Sequence, residues 1–177
     1  MIRVLSGIYK GRKLQQFKMD SVRPTQSRIK KSIMDTITDF KGKVVLDLFS
    51  GIGNLGIESI SRGAKEIYFV DKNIRAVKVL KNNLKLLNIE NQSHVVISDV
   101  FKFLSLTKLK FDIIIADPPY YTYEFLYLFE HVESHLNKNG IFCFESHCHK
   151  LLTNLNVKIK KFGNTQVIFW RKSIWKK

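Results

Sequence analysis

Acidic residues are scarce in this 177-residue chain: 15 Asp and Glu stand against 30 Lys and Arg, for a formal net charge of +15. The resulting pI, near 9.9, argues against a cationic partner and points to a polyanion, most simply nucleic acid. Cysteine is limited to Cys143 and Cys148, too few for a disulfide framework, so a reducing compartment is expected. No apolar run approaches the ~18 residues of a membrane span. The N-terminal residues Met1-Ile2-Arg3-Val4 precede no long apolar stretch, so no signal peptide is expected and the cytoplasm is the default. Proline occurs three times, and two of the three are adjacent. The length suits one compact domain, and 45% hydrophobic residues suffice for an ordinary core.

The adjacent prolines lie in Asp117-Pro118-Pro119-Tyr120, directly after the apolar run 111–116. That run reads as a buried strand. Each proline fixes φ and removes an amide donor, so the pair stops the strand and stiffens the turn after it. A carboxylate, a rigid turn and an aromatic ring are then held at the carboxyl edge of a sheet, where open α/β folds bind ligands. This set suits a flat base, gripped by stacking and by acceptors for the hydrogens of an exocyclic amine.

The pattern along the chain is strand–helix repetition. Residues 1–27 form a basic, glycine-punctuated extension in which two short strands are expected around 8–10, between Gly7 and Gly11. Pro24 ends it, and Ser27 is a plausible cap for a helix over 28–40. Strands are expected at 44–49, 66–70, 94–97, 112–116 and 141–145, with helices at 54–62, 73–87, 100–106 and 123–136. The last of these helices is expected to close at Asn139-Gly140. Strands 157–161 and 166–170, joined at Gly163-Asn164, read as a terminal hairpin. The expected fold is α/β: a doubly wound, mostly parallel, seven-stranded sheet with right-handed crossovers and an antiparallel edge. Residues 28–177 make that domain. A monomer is expected, since no long heptad pattern or obvious apolar edge is present.

Residues 47–56, DLFSGIGNLG, join the first core strand to a helix. Gly51, Gly53 and Gly56 fit G-x-G-x-x-G, and Asp71 follows Gly51 by 20 residues, so a dinucleotide must be weighed. Asp47 tips the reading toward S-adenosylmethionine. A carboxylate before the loop attracts a cationic amino-acid head and repels a pyrophosphate. Asp71, ending the second strand, can accept two ribose hydroxyls. Ser98-Asp99-Val100, ending the third, offers an acceptor and an amide to an adenine edge. With Asp117, four acids end four successive strands.

With these residues the chain resembles the class I S-adenosylmethionine-dependent methyltransferases, with a Rossmann-like fold. More narrowly, it resembles the bacterial family that methylates the exocyclic N2 of a guanine in 16S ribosomal RNA. The resemblance runs through Arg3-Val4-Leu5-Ser6-Gly7, Lys10-Gly11-Arg12-Lys13-Leu14, Arg23-Pro24-Thr25, the glycine loop with Ile57-Glu58, Ser61-Arg62-Gly63-Ala64, Asp117-Pro118-Pro119-Tyr120, Glu145 and Phe162-Gly163. One departure is Lys31, where an acidic residue is usual.

The resemblance implies S-adenosyl-L-methionine as cofactor, held by Thr25, Asp47, Phe49, Ser50, Gly51, Gly53, Asn54, Leu55, Asp71, Lys72, Asp99, Val100 and Asp117. Asp117 and the Pro118 carbonyl would accept the two amine hydrogens, with Pro119 stiffening the turn and Tyr120 stacking on a base drawn from its helix. Arg3, Lys10, Arg12, Lys13 and Arg23 are the candidates for RNA phosphates, with Tyr121 beside the pocket. The partner would be 16S rRNA, free or within an assembled small subunit. Adenine-N6 methylation of DNA or RNA uses the same tetrapeptide and stays open, as does a noncatalytic RNA-binding role in ribosome assembly. An NAD-dependent oxidoreductase lacks a substrate domain. Cys143, Glu145, His147 and His149 alternate on one strand without a defined ligand spacing, and no metal is expected.

Overall fold

The computed structural model describes residues 2–16, 27–119, 123–151 and 153–172. Thr25, Arg23, Tyr120 and Tyr121 therefore lie outside the described residues. Seven strands form one sheet in the order β3-β2-β1-β4-β5-β7-β6. They are β1 (Val44–Leu48), β2 (Glu66–Asp71), β3 (Ser93–Ile97), β4 (Phe111–Ala116), β5 (Leu136–His147), β6 (Val157–Phe162) and β7 (Thr165–Arg171). Strands β1 to β5 run parallel, and β7 is antiparallel to both β5 and β6. This is the doubly wound sheet with an antiparallel edge that strand–helix alternation predicts.

The sheet is apolar on both faces because helices cover both. On one face Val45, Ile67, Phe69, Ile113, Ile115 and Cys143 pack against α1 (Ser27–Ile37), α2 (Asn54–Ser61) and α3 (Ile74–Leu87). On the other, Leu46, Val70, Ile114 and Phe142 meet α4 (Val100–Leu106) and α5 (Phe125–Val132). Helix α4 has the predicted bounds: Asp99 caps it, its Oδ1 accepting from Phe101 N at 2.9 Å and Lys102 N at 3.3 Å. Asn73 caps α3 in the same way.

Three expectations change. Helix α1 stops at Ile37, and Thr38 takes a positive φ of 60°, so the helix is shorter than predicted. Helix α5 ends at Val132, and after one 3-10 turn β5 already begins at Leu136. Asn139-Gly140 does not close a helix. Asn139 adopts the left-handed φ of 62° that such a cap would need, but inside β5, where the register against β4 shifts between Phe111 and Ile113. The N-terminal segment is antiparallel, but two strands do not form: its ladder is a single bridge, Arg3↔Lys13. Hydrogen bonds Val4 N→Arg12 O and Leu14 N→Ile2 O, both 3.0 Å, complete the turn.

That segment is held by side chains rather than by a ladder. Glu58 of α2 accepts from Leu5 N at 2.8 Å and Ser6 N at 2.9 Å. Asn83 of α3 accepts from Gln15 N at 2.7 Å and donates to Gln15 O at 3.2 Å. Val4 and Leu14 enter the core.

Candidate active site

Strand order and register assemble the four acids. Strands β3, β2, β1 and β4 are neighbours in that order, and Asp99, Asp71, Asp47 and Asp117 stand at their carboxyl ends. Asp47 pairs in register with Phe69 and Ile115. Asp71 and Asp117 lie two residues beyond those partners, so strand periodicity returns them to the face of Asp47. Asp71 pairs with Ile97, and Asp99 lies two beyond Ile97. The predicted line of carboxylates therefore runs along one sheet edge.

Asp47 is 1% exposed, with Gly56 N donating to its Oδ2 at 2.9 Å. Burial raises its pKa to about 8. The Gly56 amide opposes that rise, while the charges of Asp117 and Asp71 add to it. An acid with that pKa is mostly protonated at pH 7, and a neighbouring cation would favour its ionised form. Asp71 is more open and organises the loop: its Oδ2 accepts from Gly51 N and its Oδ1 from Asn73 N, each at 2.7 Å. On β5, Glu145 is 2% exposed, one strand over from Asp117 on the same face.

The glycine loop leaves β1 through Phe49, a non-glycine residue with φ 59°. Gly51 has φ 54° and open space where a Cβ would point, leaving room for a ligand beside the loop. Gly56 serves packing instead: a Cβ there would lie 2.2 Å from Phe69 Cε1. Ser50 Oγ is buried and, among the described residues, has no hydrogen-bond partner, an orphaned polar group of the kind a ligand satisfies. Asn54 and Leu55 are buried at the start of α2, and the Asn54 side chain turns to Lys30. Gly53 has φ 85°, Lys72 is exposed, and Val100 is buried at the start of α4.

Tyr123 joins the site although sequence reasoning places it within the helix expected at 123–136. Its ring lies 5.3 Å from both Phe49 and Phe101, making an aromatic wall beside the loop after β1 and the start of α4. Its signal is its place three residues after Tyr120, ahead of α5 rather than within it. Pro118 is buried and Pro119 exposed. Among the N-terminal cations, Arg3 donates to Gly11 O and Arg12 to Leu86 O, both at 3.0 Å, while Lys10 and Lys13 are exposed. Among the described residues no His, Cys, Asp and Glu group is arranged to hold a metal ion, and no helix is long and apolar enough to cross a membrane.

The sheet order, the loop and the row of acids define a Rossmann-like methyltransferase fold of class I. The family described as conserved hypothetical protein 95 matches residues 2–171, and the chain belongs to that family. A Bacillus subtilis relative, "Putative rRNA methyltransferase YlbH", is 40% identical over 123 residues, covering 67% of each chain. The Haemophilus influenzae ribosomal RNA small subunit methyltransferase D is 31% identical over 124 residues, covering 68% of this chain and 64% of the relative. The match thus spans about two thirds of the length of these relatives. The Escherichia coli structure described as "Putative methyltransferase yhhF" superposes with a TM-score of 0.85 at 25% identity, covering 97% of this chain and 98% of that one.

Proposed function

We propose that the chain transfers a methyl group from S-adenosylmethionine to the exocyclic N2 of a guanine in small-subunit ribosomal RNA. The observation that carries this reading is the buried, charge-poor Asp47 in a row with Asp71, Asp99 and Asp117 beside an open glycine loop. The relatives named for rRNA methylation and the net charge of +15 support an RNA substrate.

The residues present fit this cofactor. Asp47 would receive its ammonium, Asp71 its ribose hydroxyls, and Asp99 with the Val100 amide its adenine edge, while Ser50 Oγ, orphaned among the described residues, would gain a partner. When bound, S-adenosylmethionine supplies a methyl carbon already activated by a sulfonium charge. What remains for the protein is positioning and electrostatics. Guanine N2 is a poor nucleophile because its lone pair conjugates with the ring. Hydrogen bonds from its two hydrogens to the Asp117 carboxylate and the Pro118 carbonyl would turn that pair toward the methyl donor. Asp117 then takes the proton that the amine loses. Phe49, Phe101 and Tyr123 keep water from this edge, and Tyr120 stacks on the base. The basic segment 2–16 supplies phosphate contacts through Lys10 and Lys13.

The test is to incubate labelled S-adenosylmethionine with unmodified 16S RNA and with small-subunit particles, then map the labelled base by mass spectrometry. Label on guanine N2 is expected. Label on adenine N6, or none on either substrate, defeats the reading.

A further inference from the structure

A second basic face lies outside the N-terminal segment. Helix α1 presents Arg28 and Lys31 to solvent, the Lys31 side chain being 69% exposed. On one side of α1, Arg62 closes α2. Between them and Leu5, Ser6 and Ser27 is an open cleft of about 410 Å³. On its other side runs the edge strand β6. Lys158 and Lys160 oppose Phe169 and Val167 across the β6–β7 ladder. Those two partners belong to the core on the α1 face, so both lysines project to that face. Lys160 Nζ reaches Ser32 Oγ of α1 at 3.5 Å.

One acid faces this array from α1, Asp35. It is engaged by Lys31 at 2.5 Å and by Arg62 at 3.2 Å, and those cations hold its carboxyl below the usual range, the Lys31 hydrogen bond most of all. From α2, Glu58 also engages Arg62 Nε at 3.3 Å, so the five cations Arg28, Lys31, Arg62, Lys158 and Lys160 stand against two acids. The array also reaches the catalytic edge. The turn at Gly163 follows the carboxyl end of β6, and a Cβ built on Gly163 would lie 3.9 Å from Arg28 Nη2. Strand β6 runs in the same sense as β5, so this turn stands at the edge that carries Asp117.

We infer that this α1–β6 face is a second RNA surface, binding the phosphate backbone of the substrate while the N-terminal segment holds another stretch. The inference rests on the rRNA reading above. Lysines on an edge strand also block strand-to-strand aggregation. Charge reversal separates the two roles, because Glu still blocks the edge but repels phosphate.

The experiment measures filter binding of a labelled 16S RNA transcript between about 50 and 300 mM salt. It compares the wild-type chain, Arg28→Glu/Lys158→Glu/Lys160→Glu, the milder Arg28→Gln/Lys158→Gln, and Lys10→Glu/Lys13→Glu. S-adenosylmethionine calorimetry and thermal melts report folding. The triple reversal is expected to weaken RNA binding more than about tenfold and to lower the log–log salt slope by about 0.7–0.9 for each phosphate no longer neutralised. The Gln pair should fall between it and wild type. Wild-type affinity and slope in both α1–β6 variants, with weakened binding in Lys10→Glu/Lys13→Glu, overturn this face and leave the rRNA reading intact. Absence of salt-dependent RNA binding by the wild-type chain overturns both.

Discussion

Lys30 Nζ lies 3.2 Å from Glu58 Oε2, with the two side chains 2% and 0% exposed. The ammonium also donates to Arg3 O and Asn54 Oδ1, both at 2.8 Å. One buried cation therefore joins the N-terminal segment, α1, and Asn54, the first residue of α2. Burial lowers the Lys30 pKa, and Glu58 works against that shift. Such a pair is weak evidence of stabilisation by itself, yet breaking it from one side is costly.

The two halves of the pair are expected to respond unequally. Glu58→Leu removes the acceptor of Leu5 N and Ser6 N as well as the partner of Lys30 and of Arg62 Nε at 3.3 Å. A loss of ~3–5 kcal/mol is expected in urea denaturation, with faster amide exchange at Leu5 and Ser6. Lys30→Met leaves Glu58 its two amides and Arg62, so its loss should be smaller. Equal urea midpoints for Glu58→Leu and wild type would remove this pair as the anchor of the segment.

Asp47 makes stability depend on pH in an unusual direction. Its folded pKa is raised from an ordinary 3.8 to about 8. The folded state therefore keeps a proton that the unfolded chain releases. The contribution is whole below about pH 4 and is lost as pH rises through about 8. Stability should fall across that window by on the order of 1 kcal/mol per pH unit. Asp47→Asn, which keeps an oxygen for Gly56 N, should flatten the fall and lose affinity for S-adenosylmethionine. Urea denaturation at several pH values checks the first claim, and stability rising between about pH 5 and 8 would contradict it.

Much of this site is legible in the residues alone, because local chemistry repeats along the chain. Each acid follows an apolar run, and each run must end at the same edge once the crossovers are right-handed. Long-range pairing is not legible. Helical spacing puts Lys30 on the stripe of Ile33, Met34 and Ile37 and leaves Lys31 facing solvent, but no local signal names Glu58 as the partner that seals Lys30. Asn139-Gly140 misleads for a different reason. The left-handed backbone it favours serves a helix cap and a strand irregularity equally, and only pairing with β4 decides. Tyr123 resembles the core aromatics of α5 until the helix start at Phe125 leaves it outside.

Asp117 is half-buried just after β4, next to the buried Pro118. Asp117→Asn keeps the shape and an acceptor but cannot take a proton. Methyl transfer should fall by ~10²–10⁴-fold, with S-adenosylmethionine affinity changed only a few-fold. Single-turnover kinetics and calorimetry separate the two quantities. If both drop together, Asp117 holds the cofactor rather than the amine.

Gly7 lets the backbone of the N-terminal segment lie directly against Ser61 of α2. Its φ is +82°, and a Cβ there would sit 1.7 Å from Ser61 O. Ser61 is already committed: its carbonyl accepts from Ile8 N at 2.9 Å, and its Oγ accepts from Tyr9 N at 3.0 Å. Gly7→Ala must therefore push the segment off the helix, at a backbone cost of ~1–3 kcal/mol in addition to the clash. The glycine loop and the row of acids lie beyond this contact, so binding of S-adenosylmethionine should persist. RNA affinity should fall, because Lys10 and Lys13 ride on the displaced turn. Hydrogen exchange at Ile8 and Tyr9, measured beside RNA binding, checks both halves. Slow exchange at those amides in Gly7→Ala would mean that the segment tolerates the added methyl group and is docked some other way.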